Sequence, residues 1–598
     1  MDKKKRANVF KTIVSSLRLT AQSGGGGYLA FTSVWMLITA FTSLTAVFQK
    51  YFVNAAADLL GGVSTAFRTA LFWLGIWAGV ELLSAVMNIF TQRAQVKLWN
   101  QVEYYVQYGI MKKISRIRLS YFDNVETHRI LEFVKARMHQ RLSGVIDAVF
   151  GVLLAGAQFV TVGVIIAGEN PWAALMIIAA SIPAVYISYR QTEENYWNEQ
   201  NNSHESRFQA YVGWLLTRRK FLKEMQFYNL FDYIFKRYDE STEILNKTRI
   251  KSTKKYMGLN VLGSLINYIA IGIALVLIVL DIYSGKRGIG SFVLIYSSAR
   301  NLQSAVEKIF SSLLVIGSEG RYIEEYYTVM EYEEEKYEVN PQQNQAEKIT
   351  ITFQNVSFTY PQTDRLVLKN LNLEIKQGEK IAIIGENGSG KSTFIALLTG
   401  LYQPTEGQIL VNGIDISENL GILRDNLSCT YQNFVHYELT IKENILLGDL
   451  GCPHTDEDVA CAAKKAGIYE EIMAMPDGFD TPLGNYAKNG RDLSGGQWQK
   501  LAMAKNLLKD SAKIMILDEP TAALDPVAES DLYREFGKLT SDKTVLLISH
   551  RLGATRLADR ILVFHEGAIV EDGSHEELMK KNGLYTSTYH AQSQWYTN

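Results

Sequence analysis

Apolar and polar positions alternate in two different ways along the 598 residues. Before about position 320 apolar residues gather in long runs separated by charged loops; beyond it, charged and apolar positions interleave as in a globular domain. Tyr28 to about Phe48 and Thr69 to about Phe90 each come close to the ~20 residues that cross a bilayer. Val145 to Ala167 and Pro171 to Tyr189 repeat the pattern, joined by Gly168-Glu169-Asn170. Leu259 to about Leu280 is the most uniform run. Gly290 to about Ile316 is a sixth, although Arg300, Glu307 and Lys308 interrupt it. Such polarity is tolerated on a helix face turned to other helices or to water.

The connections alternate in length. Those after spans one, three and five are short, whereas Thr91 to Gly144 and Arg190 to Met257 are long and charged. Basic residues crowd the first long loop, so the positive-inside tendency puts both long loops and the N-terminus in the cytoplasm. An even number of spans returns the C-terminal half to that side. Val102, Tyr105, Val106, Ile110, Ile114 and Ile117 keep a helical period, as do Phe227, Leu230, Phe231, Ile234 and Tyr238. The spans therefore extend as helices far beyond the membrane, with turns near Leu119–Asp123 and Leu215–Arg219. Residues 1–20 are basic with apolar positions at helical spacing, which suits a helix lying on the membrane surface. They lack the compact apolar core of a signal peptide. Gly24 to Gly27 read as a hinge into the first span. Residues 331–348, acidic and then rich in Asn and Gln, read as a linker, and a second domain starts at Ile349.

Composition adds little, because it averages the two halves: 61 Lys and Arg face 62 Asp and Glu. No strongly basic block stands out beyond the N-terminus, so a nucleic-acid binder is not expected. Cys429, Cys452 and Cys461 lack C-x-x-C spacing, which argues against a zinc site or disulfide framework and for a reducing compartment.

The chemistry lies in the second half. Ile381–Ile384 reads as a buried strand, followed by Gly385-Glu386-Asn387-Gly388-Ser389-Gly390-Lys391-Ser392 and a helix beginning Thr393-Phe394-Ile395. Strand, glycine-rich turn and helix form the context in which G-x-x-x-x-G-K-[ST] binds a nucleoside triphosphate. The glycines let backbone N–H groups curl around phosphate oxygens, and the helix N-terminus adds positive potential. Lys391 is expected on the β/γ-phosphates and the Ser392 hydroxyl on Mg²⁺. A second strand-like run, Ile514–Leu517, ends in Asp518-Glu519, where one carboxylate can serve the Mg²⁺ shell and the next can polarise water.

Leu493-Ser494-Gly495-Gly496-Gln497 adds a second small cradle at a helix start. With this set the chain from about Ile349 to Leu584 resembles the ATPase domain of ABC transporters. Six spans with two long cytoplasmic loops ahead of it are similar to an ABC exporter half-transporter. The fold class implied is an α-helical membrane domain with cytoplasmic extensions fused to an α/β P-loop ATPase. The domains would be residues 1–27 at the membrane surface, 28–330 spanning, 331–348 linking and 349–598 binding ATP. By that resemblance Gln432 senses Mg²⁺ and the membrane domain, and Tyr360 stacks on adenine. His550 contacts the γ-phosphate, and Asp525 lies in a loop crossing the dimer interface. The Leu493–Gln497 segment closes over ATP held by the partner's phosphate loop. Coupling helices fall at about Ser120 to Thr127 and Leu215 to Phe221. The architecture implies two copies, and intact motifs allow a homodimer.

A narrower resemblance, to nisin-type lantibiotic exporters, rests on Gln432–Ile441, on Leu483-Gly484-Asn485-Tyr486 and on Leu493–Lys500, together with Leu524–Glu529. It implies export of a lantibiotic-like peptide across a bacterial cell membrane, with lipid or drug export and an ATP-gated sensor or channel as alternatives. Asn485 stands where most multidrug-type exporters carry Glu, in the segment that contacts the coupling helices. No cysteine peptidase precedes the first span, so cleavage of a leader peptide is not expected. Glu81, Asn88, Asp147 and Asn267 interrupt apolar spans and should face the bundle interior, as bonded pairs or as cavity lining.

Overall fold

The long apolar runs become long helices. The computed structural model describes residues 9–63, 65–335, 337, 346–519, 543–549, 555–556 and 558–593. The first helices are α1 (Val9–Thr20), α2 (Gly26–Ala40), α3 (Thr45–Leu60), α4 (Ala66–Ile114) and α5 (Val125–Glu169). They are followed by α6 (Pro171–Asn201), α7 (Ser203–Leu216), α8 (Arg219–Phe227), α9 (Phe231–Tyr283) and α10 (Gly290–Glu331). The chain divides into two compact units: Met1–Ser115 with Ile130–Tyr332, and Arg116–Arg129 with Glu333–Asn598.

In the first unit, four helical segments among the described residues are long and apolar enough to cross a membrane: Ala66–Ile114, Gln140–Glu169, Pro171–Asn195 and Phe231–Tyr283. They hold the second to fifth expected spans. Their outward faces are apolar, with Phe72, Leu83 and Ile89 of α4 all exposed, as suits a surface meeting lipid. The sixth expected span is α10, whose Arg300, Glu307 and Lys308 are exposed. Its apolar face joins Val162, Ile166, Ile177, Ala274, Ile278 and Leu302 in one buried cluster shared by α5, α6, α9 and α10.

The first span departs from expectation. It runs as α2, a 3₁₀ turn (Phe41–Leu44) and α3, well beyond Phe48. Lys50, just past that point, lies inside α3 and is neutralised: Glu169 pairs with both Lys50 and Arg287. Asn54 Oδ1 also accepts the Gly290 N–H at 2.7 Å, fastening α3 to the start of α10. At the expected hinge two helices meet across a kink at Gly24, whose φ of +79° is non-helical. Gly25 packs so closely on Leu98 that a Cβ would lie 2.7 Å from its Cδ1. Helix α1 turns Thr12, Ser16 and Leu19 inward and packs on α10. The interruptions Glu81, Asn88 and Asp147 are exposed in the single copy, whereas Asn267 is buried. The first two share an outward face with exposed Leu82, Leu83 and Ile89, so that face is not the interior of one copy.

The second unit is built on two sheets. Among the described residues an antiparallel sheet has the order β2-β1-β4-β5 (β1 Ile351–Thr359, β2 Leu366–Ile375, β4 Glu406–Val411, β5 Ile414–Asp415). The larger sheet runs β10-β9-β3-β8-β7-β6. Its strands are β3 (Lys380–Gly385), β6 (Leu427–Thr430), β7 (Ile514–Asp518), β8 (Thr544–Ile548), β9 (Arg560–His565) and β10 (Ala568–Gly573). All its pairings are parallel except β9 with β10. Parallel strands covered on both faces read as unbroken apolar runs, and every residue of β7 and β8 is buried. The expected linker begins as paired chain: the Glu335 N–H donates to the Arg116 carbonyl at 2.7 Å, and Arg424 grips the Glu335 carboxylate. Residues 338–345 of it lie outside the described residues. The turn expected near Leu119–Asp123 is a 3₁₀ turn, and Asp123 Oδ2 accepts from the Tyr402 hydroxyl at 2.8 Å.

Candidate active site

Ligands of open parallel sheets sit beyond the carboxyl ends of the strands, and the expected site residues gather there. A cavity of about 400 Å³ is lined by Tyr360, Asn387, Gly388, Gly390, Lys391, Ser392, Thr393, Gln432, Asp518 and Glu519. Its floor is the turn between β3 and α11 (Lys391–Leu398). Only glycine fits the entrance to that turn. Gly385 has φ +152°, and a Cβ there would overlap the Phe564 carbonyl oxygen. At the helix start Gly390 has φ +108°, which a side chain rarely adopts.

Lys391 Nζ donates to the carbonyls of Gly385 at 2.7 Å and Glu386 at 2.9 Å, so the ammonium curls back over its own loop. Burial pulls its pKa below the usual lysine range, against the raising pull of Glu519 and Asp518. Ser389 Oγ is buried within the loop, without a hydrogen-bond partner among the described residues. Asp518 ends β7, and burial pushes its carboxyl up to about 6. Glu519 turns out of the strand at φ +49°, a conformation that costs a non-glycine residue roughly 1–3 kcal/mol. The turn is held by the Glu519 N–H donating to the Ile548 carbonyl at 2.9 Å. Gln432 Nε2 donates to Glu519 Oε2 at 2.7 Å, bringing the two expected residues into contact.

Tyr360 closes one side. Its hydroxyl lies 3.0 Å from Thr393 Oγ1, and its ring meets Phe358 at 4.9 Å and Tyr402 at 5.4 Å. Thr363, Arg365 and Val367 also line this cavity. They were missed in the sequence, although Thr363 and Arg365 follow Tyr360 in the β1–β2 connection and Val367 lies at the start of β2, so all three had to lie nearby.

Leu493, Ser494, Gly495, Gly496 and Gln497 do not line the cavity. Ser494 caps α12 (Gly495–Leu508) in a capping box: the Gln497 N–H donates to Ser494 Oγ at 3.3 Å, and Gln497 Oε1 accepts the Ser494 N–H at 2.9 Å. The positive helix end and its hydroxyl are thus formed away from the phosphate loop of the same copy. His550 and Asp525 lie outside the described residues.

The comparisons agree with this geometry. Residues 368–522 match the ABC transporter family. The subtilin transport ATP-binding protein SpaT of Bacillus subtilis is 31% identical, over 92% of this chain and 89% of that protein. The nisin transport ATP-binding protein NisT of Lactococcus lactis is 28% identical, over 97% and 96%. An ATP-dependent lipid A-core flippase of Pectobacterium atrosepticum is 27% identical, over 94% and 97%. A solved bacterial Atm1-family ABC exporter with ATP bound matches with a TM-score of 0.76 and 25% identity, covering 94% of this chain and 98% of that one. A phosphate-binding turn, a strand ending in two carboxylates, a distant Ser-Gly-Gly helix start and membrane-length helices on one chain now have a common explanation: the chain belongs to the ABC transporters, as an ATP-driven exporter with its membrane domain and ATPase fused.

Proposed function

We propose that the chain works as a pair of identical copies in a bacterial cell membrane, with its N-terminus and ATPase in the cytoplasm, and exports a lanthionine-type ribosomal peptide. The observation carrying the cargo is that the likeness to the subtilin and nisin transport proteins extends over 92% and 97% of the chain, membrane half included. The lipid A-core flippase, alike over 94% of the chain, favours lipid as the second reading.

In this reading the phosphate loop and Lys391 hold the triphosphate, and Tyr360 stacks on the base. Ser392, Gln432 and Asp518 offer oxygen donors to one cavity, a set suited to a hard cation such as Mg²⁺. Bound there, the ion would neutralise charge between the β- and γ-phosphates. Glu519, poised by Gln432, takes up the attacking water's proton. The Ser494 end of α12, which does not line its own copy's cavity, completes the partner's site with backbone N–H groups and a hydroxyl. His550 contacts the γ-phosphate and Asp525 lies at the interface between copies. ATP binding draws the ATPases together and switches the membrane helices outward; hydrolysis resets them.

The test is hydrolysis by the purified protein in lipid vesicles with lanthionine peptides, lipids or hydrophobic drugs added. Peptide alone is expected to raise turnover and to accumulate inside inside-out vesicles at the expense of ATP. Stimulation by lipid alone supports the second reading. ATP-dependent opening without uphill accumulation would make the protein a channel or sensor.

A further inference from the structure

We propose that the His436–Trp498 ring stack, within the strap from Gln432 to Leu439, is the contact that positions Ser494 of the same copy. This rests on the reading above, in which Ser494 serves the partner's ATP.

The strap is fixed at each step. At its start Gln432 holds Glu519 at 2.7 Å. Four residues on, the His436 ring lies flat on Trp498, with centroids 4.2 Å apart and planes within 4°. Trp498 sits one helical turn beyond Ser494 and is only 4% exposed. It packs in one cluster with Leu493 and Leu501. Its indole N–H donates to Asp492 Oδ1 at 3.2 Å, so this one side chain grips the chain on both sides of Ser494. Further along, Glu438 Oε2 accepts the N–H groups of Asn485 at 2.9 Å and Tyr486 at 2.8 Å. The Leu439 carbonyl accepts the Leu483 N–H at 2.9 Å.

A strap held at both ends and in the middle cannot absorb a shift of Gln432 internally. When Gln432 moves with the nucleotide, either the ring stack slides or α12 follows. An offset ring pair has a preferred geometry, and Trp498 is locked by its buried neighbours. The stack therefore carries the motion, and Ser494 is re-aimed toward the second site. His436 acts through Trp498 and touches no substrate; it is a positioning residue. The occupant of one site thus biases how well the other is completed.

The experiment measures ATP hydrolysis against ATP concentration by the full chain in vesicles, for the wild type, His436→Ala, His436→Phe and Trp498→Ala, and for the double Ala variant. His436 is exposed on its free side, so its replacement should leave the fold intact. His436→Ala is expected to raise the half-saturating ATP concentration about threefold to tenfold, the size of one aromatic pair, with kcat changed much less. His436→Phe, which keeps a ring on Trp498, should restore the wild-type value, and the double variant should be no worse than Trp498→Ala alone. Unchanged half-saturation in His436→Ala, an equal defect in His436→Phe, or additive losses would each overturn the proposal. The mass of the wild-type particle is measured alongside. A wild-type pair with an unaffected His436→Ala variant refutes the strap only, whereas single wild-type copies turning over at full rate refute the paired-site reading itself.

Discussion

Glu519→Gln is expected to slow ATP hydrolysis by roughly 10²- to 10⁴-fold, the contribution of a positioned general base, while ATP binding survives. Gln keeps the size of the side chain and can still bond to Gln432, so the cavity should not collapse. What it loses is the capacity to take a proton from water. The φ of +49° at this position argues in the same direction. A strained backbone conformation at the end of a fully buried strand persists where the surroundings fix it, and here it carries the carboxylate to Gln432. Single-turnover hydrolysis and equilibrium binding of a labelled ATP analogue check the two halves separately. Hydrolysis within a few-fold of the wild type would remove Glu519 from the role.

Glu169→Ala is expected to destabilise the membrane unit by about 3 kcal/mol, the low end for removing one partner of a buried ion pair. Glu169 joins Lys50 of α3 to Arg287 in the α9–α10 connection, and its own side chain is 9% exposed. Without the carboxylate Lys50 loses its ion-pair partner beside a second cation, and Arg287 keeps only Asp281, 3.6 Å from its Nε, which costs more than the lost attraction. The measurement is the loss of folded protein on heating in detergent, read for Glu169→Ala and for Glu169→Gln. The amide keeps hydrogen-bond acceptance without the charge and should fall between. A melting temperature unchanged in both would contradict the role given to this cluster.

Local patterns made much of the molecule legible. Ile381–Ile384 and Ile514–Leu517 read as buried strands because both faces are covered, and the residues that follow them meet in one cavity. Spans two to five could be read from length and apolarity. The misses are contacts between residues far apart in the chain. That α3 runs on past Lys50 depends on its partner Glu169, 119 residues away. Gly24–Gly27 read as a break and Gly24 does kink the chain, but nothing local reveals that Leu98 packs on Gly25. The linker looked free because Glu335 is anchored by Arg116 and Arg424. Likewise, sequence placed His436 and Trp498 in separate motifs, and only the fold lays one ring on the other. The interior assigned to Glu81 and Asn88 is not supplied by one copy, since periodicity reports that a face is polar but not what covers it.

The central claim is that one copy grips the triphosphate and a second completes the site. Its most direct test is the mass of the full-length protein in lipid nanodiscs, measured while it hydrolyses ATP. Activity confined to particles containing two copies is predicted; single copies hydrolysing ATP at the full rate would contradict it.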